Sequence, residues 1–115
     1  MRKMEQVILS AHYIISVGTH KEIGLDEEFS GDCDTTLKTI RVATDKLVDC
    51  DGSVERTIET MKLTLRHELC HAFLYESGMK QYYDDETLIG WLEVMLPKLV
   101  RCEELGLKAF DNFRI

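Results

Sequence analysis

An α+β domain, a small antiparallel sheet packed on two helices, is the fold this sequence predicts. Three observations predict it. Apolar residues up to Val42 come in β-branched or alternating runs, a 3.6-residue apolar period takes over after Gly52, and the 115 residues suffice for one core with little room for a second. The expected unit is therefore a single domain, residues 1–115.

The elements follow in order. Val7 to Val17 hold two β-branched runs on either side of Ser10-Ala11-His12, the pattern of a hairpin or a bent strand. A polar, acidic segment, Lys21 to Ser30, leads through Gly31-Asp32-Cys33-Asp34 into Leu37 to Val42, where alternation predicts a strand with one solvated face. Asp51-Gly52 signals a turn. Ser53 is an N-cap candidate, Glu55 complements the helix dipole, and Val54, Ile58, Met61, Leu65, Leu69 and Ala72 recur at spacings of three and four. Ser77-Gly78 offers that helix a C-terminal cap. Asp84 or Asp85 can cap a second helix carrying Ile89, Leu92 and Leu96 on one face, which Pro97 is expected to kink or end.

Composition excludes several classes. A net charge of −7 and a pI near 5.0 repel phosphate backbones and anionic lipid, so neither nucleic-acid binding nor membrane association is expected. The longest uncharged stretch, Val7–His20, is too short and polar to span a bilayer, and the Met1 end lacks a signal-peptide pattern. The expected location is cytoplasmic. Cys33, Cys50, Cys70 and Cys102 are widely spaced without a C-x-x-C pair, which suits reduced thiols.

Chemistry concentrates in His67-Glu68-Leu69-Cys70-His71, inside the best helix. Positions four apart lie about 40° apart around a helix, so the two imidazoles emerge side by side and can share one ion, with zinc the natural candidate. Glu68, about 100° round from His67, cannot easily ligate that ion but can reach a water on it, which makes it the general base for amide hydrolysis without a covalent intermediate. Cys70 is expected to pack as a small apolar residue.

A catalytic zinc site needs a third protein ligand. No histidine follows His71, so a carboxylate is expected. Glu76 points away from the ion; Glu86 and Glu93, seven residues apart on nearly the same face of the second helix, can each reach it, and Asp85 is better used as a cap. Candidates for an oxyanion donor are Tyr75, Tyr82, Tyr83, His12 and His20.

Thr64 to Gly78, with Glu86-Thr87-Leu88-Ile89-Gly90-Trp91 and Leu96-Pro97-Lys98-Leu99, resembles the active-site and second helices of small phage- and mobile-element-associated metallopeptidases, relatives of the ImmA/IrrE peptidases and the broader zincin-like group. Gly31-Asp32-Cys33-Asp34 and Lys38 to Val42 resemble that family's Gly-x-Cys-Asp turn and the strand beside the active-site helix. The resemblance implies a zincin-like fold, Zn2+ as cofactor and Glu86 as third ligand. It further implies cleavage of a cytoplasmic protein or peptide, held by β-augmentation on an edge strand at Thr39 to Ala43. The competing expectation is a non-catalytic protein in which the zincin scaffold binds or inhibits a host or phage protein.

Overall fold

The computed structural model describes residues 1–50 and 52–114. Strand β1 (Arg2–Ile8) returns antiparallel as β2 (Ala11–Gly18) through Leu9-Ser10, where Leu9 adopts the left-handed φ of 58° that tight hairpins demand. Tyr13 and Ile15 point into the core while His12 and Ile14 face out, the period-two signature of a strand covered on one side. A one-turn helix α1 (His20–Ile23), opened by a Thr19/Glu22 capping box and closed by Gly24 at φ 70°, redirects the chain.

Two strands follow, β3 (Gly31–Asp34) and β4 (Thr39–Ala43), paired antiparallel, and β4 inserts beside β2 to give the order β1-β2-β4-β3. β4 runs parallel to β2, so the sheet is mixed rather than antiparallel. Alternation fixes which face each residue of β4 occupies and says nothing of direction, and Thr19 to Lys38 is long enough to bring the chain back in the same sense. Two further expectations change with it. Gly31 to Asp34 is a strand instead of a turn, and the edge on this side of the sheet belongs to β3, because β4 is interior and β1 forms the opposite edge.

β5 (Leu47–Asp49) and β6 (Gly52–Val54) form a separate ribbon; Asp51, half of the expected turn, lies outside the described residues. Val54 is therefore a strand residue and Ser53 caps nothing. Helix α2 (Ile58–Glu76) starts one turn later than expected, where the Thr57 hydroxyl accepts from the Thr60 N–H and the Thr60 hydroxyl accepts from the Thr57 N–H. Met61, Leu65, Leu69 and Ala72 pack on Ile8, Tyr13, Ile15, Ile40 and Val42, while Ile58, at the start of the stripe, stays exposed. Ser77 closes α2, and Gly78 beyond it takes φ 91°.

The second long helix, α3 (Glu86–Gly106), begins where the Asp85 carboxylate accepts from the Leu88 N–H. It runs on through Pro97. Proline has no N–H, so the Glu93 carbonyl loses its helical donor, and Arg66 of α2 supplies another, Nη1 to oxygen at 3.1 Å. That replacement explains why Pro97 does not end the helix. A 3-10 turn, Leu107–Phe110, follows. The result is an α+β fold whose sheet carries α2 on its core face, with α3 packed on α2.

Candidate metal centre

His67 and His71 stand one turn apart on α2, their ring centroids 5.0 Å apart. The Asp85 cap starts α3 so that Glu86, in its first turn, reaches across to both rings: Oε2 lies 3.0 Å from His67 Nε2, and Oε1 lies 3.0 Å from His71 Nε2. Ligand atoms of His67, His71 and Glu86 all fall within 4.8 Å of one another, a group able to hold a metal ion.

The outer ring nitrogens decide what the inner ones can do. His71 Nδ1 meets the Tyr83 backbone carbonyl, and His67 Nδ1 lies 3.2 Å from Glu93 Oε2. Carbonyl and carboxylate oxygens only accept, so each Nδ1 carries its proton, and in the neutral ring Nε2 presents a lone pair. Two such lone pairs facing the oxygens of Glu86 repel them unless both rings take a second proton or a cation lies between. A borderline divalent cation suits this donor set of two imidazoles and one carboxylate. Glu93, the alternative third ligand, thus meets His67 from behind, and Glu86 is the acid that stands with both histidines in the group able to hold an ion.

Glu68 emerges on another side of α2 and is only 6% exposed. Burial pushes its carboxyl up to about 7, with Asp32, Glu86 and Glu93 adding to the rise and His71 opposing it. No hydrogen bond reaches the carboxylate among the described residues, and it borders a cavity of about 390 Å³ shared with His71, Glu86 and Tyr83. Gly31 allows this close approach. A Cβ there would stand 2.6 Å from the Arg41 carbonyl oxygen and 2.7 Å from Thr64 Cγ2, so only glycine lets β3 and α2 meet beside Glu68.

The remaining candidates divide clearly. Tyr83 borders the cavity, Tyr75 packs edge-on to Tyr83 with Lys38 and Lys80 against its ring, and Tyr82 is exposed. His12 pairs with Glu5 on the outer hairpin. His20 is buried and fully engaged, bonded to Asp45 and the Phe29 carbonyl, so it holds a loop in place. Glu76 turns away from the centre to Tyr13 and Lys38, Cys70 is buried, and Asp85 serves as the cap, all as expected.

Sequence reasoning missed Arg41 and Asp32, which border the cavity as a bidentate pair. Their signal was available: opposite charges stand directly across the β3–β4 register. Arg41 also donates to the Ile23 and Gly24 carbonyls, at 3.1 and 2.9 Å, which commits its guanidinium to binding α1 to the sheet. The sequence matches no protein-family model, and neither a curated protein nor a solved structure matches it.

Proposed function

We propose that this protein is a zinc metallopeptidase of zincin type that hydrolyses peptide bonds in a cytoplasmic protein. One observation carries the reading. His67, His71 and Glu86 converge on a point beside the cavity that Glu68 borders without a hydrogen-bonding partner among the described residues. Zinc bound at that point supplies Lewis acidity, polarising a carbonyl and lowering the pKa of water.

The chain's own residues do the rest. Tyr83 and Glu93 hold the two rings in the tautomer that leaves Nε2 free. Glu68 accepts a proton from the attacking water on a carboxylate oxygen and delivers it to the departing amine, the role its raised proton affinity suits. Substrate alignment falls to β3. The Ala43 N–H donates to the Ser30 carbonyl at 2.9 Å, so Asp32 and Asp34, of the same parity, turn their backbone groups toward β4. Gly31 and Cys33 therefore turn theirs to the open edge, where an extended peptide can add as a further strand beside Glu68.

Glu68→Gln tests the reading. The variant should keep about one zinc per chain by elemental analysis, keep its circular dichroism, and lose at least ~100-fold in hydrolysis of an unstructured protein. Full activity in Glu68→Gln, or hydrolysis by protein stripped of metal, overturns the proposal.

A further inference from the structure

The cavity beside Glu68 has an uneven charge balance. Asp26, Asp84, Glu68 and Glu86 border it, and Arg41, its one cation among the described residues, is already neutralised by Asp32 through both carboxylate oxygens. A divalent ion at the histidines would offset two of these four carboxylates and leave an excess of negative charge. Glu68 is 6% exposed, has no hydrogen-bonding partner among the described residues, and faces this space. Among the described residues no fully buried side-chain oxygen lacks a partner, so the Glu68 carboxylate oxygens open onto the cavity, where an entering cation or donor can reach them. Leu25 and Phe29 give the same cavity an apolar wall, and Phe29 is 52% exposed. Carboxylates at the rim, an aromatic face and an apolar wall together suit a long alkyl chain ending in a positive charge.

We infer that this cavity receives a lysine or arginine side chain of the polypeptide laid along β3, so that the protein selects basic residues next to the bond it cuts. The inference rests on the peptidase reading for the polypeptide and on the cavity for the charge. The open β3 edge brings the backbone of Gly31 and Cys33 to the same cavity, so a strand paired there carries alternate side chains past Asp26 and Asp84.

The probe is a labelled, unstructured twelve-residue peptide with a single central arginine, set against its twin bearing neutral, isosteric citrulline. Affinities are read by stopped-flow fluorescence anisotropy on wild-type protein mixed with zinc, within the binding phase and before any cleavage, so that the Glu68 carboxylate stays in place. The arginine peptide should bind about tenfold more tightly at low salt, and the preference should shrink several-fold at 0.5 M salt. It should disappear in the same protein carrying Asp26→Asn and Asp84→Asn. Asparagine at position 26 keeps the acceptor that the Glu28 N–H uses, which protects the fold, and Asp84→Asn alone should lose part of the preference. Equal affinity for the two peptides, or a preference the double variant leaves intact, overturns the inference. Zinc titration of the wild-type protein reports separately on the metal reading, so a protein that takes up no zinc yet prefers arginine sinks the peptidase and spares the cavity.

Discussion

Two imidazoles on one helix become a chelate only when something holds their outer nitrogens, and here a backbone carbonyl and a carboxylate do so. Glu93→Gln keeps the side chain's shape but offers His67 a weaker acceptor; zinc affinity, measured by competition with a chromophoric chelator, should fall about 10- to 100-fold with the fold intact. The spacing of four revealed His67 and His71, and a shared helix face narrowed the acids to Glu86 and Glu93. Helix geometry could not separate those two, because their roles depend on which ring nitrogen each meets; only the family resemblance favoured Glu86. Tyr83 was less visible still, since it contributes a main-chain oxygen that any residue could supply. Away from the centre, the Lys38 ammonium and the Tyr13 hydroxyl hold Glu76 below the usual carboxylate range. A depressed carboxyl stabilises the fold above its ordinary value of 4.5 and loses that contribution as pH falls through its folded value. Urea titrations should show stability declining over that acid interval, a decline that flattens in Glu76→Gln, which also costs about 1–2 kcal/mol at neutral pH.

Elements meet at two points where one atom decides the packing. Gly31→Ala places a methyl against a carbonyl oxygen and Thr64, so β3 and α2 must separate. The expected cost is about 1–3 kcal/mol in urea unfolding, accompanied by weaker metal binding because α2 carries both histidines. At the other point Arg66 satisfies the carbonyl that Pro97 leaves without a donor. Arg66→Met should cost about 1–2 kcal/mol, and clearly less in a Pro97→Ala background, where the helix supplies its own N–H; a double-mutant cycle measures the difference. Apolar period made α2 and α3 legible, the Asp85 cap marked the start of α3, and the β-branched runs on either side of Ser10 pointed to a hairpin whose first strand begins at Arg2, five residues before the expected Val7. Strand direction was not, because a parallel and an antiparallel neighbour bury the same alternate residues. The onset of α2 was misplaced because Ser53 and Thr57 offer similar capping chemistry, and pairing of Gly52–Val54 with β5 decided between them.

The molecule extends 59 × 28 × 28 Å, and its burial is lopsided. Eleven apolar residues form the buried core, ten of them before residue 73, while Ile89 is the one α3 contributes among the described residues. Further along that helix and turn, Leu99, Phe110 and Phe113 are each about two-thirds exposed. Hydrogen exchange should follow this gradient, with Glu68 to Ala72 protected to the limit of global unfolding and amides beyond Arg101 exchanging at least ~100-fold faster. No described helix is long and apolar enough to cross a membrane, in keeping with the polar composition. The short link from Ser77 to Asp85 gains weight from this arrangement. Tyr83 orients one ring and Glu86, three residues on, reaches both, so the link works as a ruler between two helices. Adding even one residue there would throw the orienting carbonyl and the proposed third ligand out of step together, making this the least forgiving seam in the chain for engineered insertions.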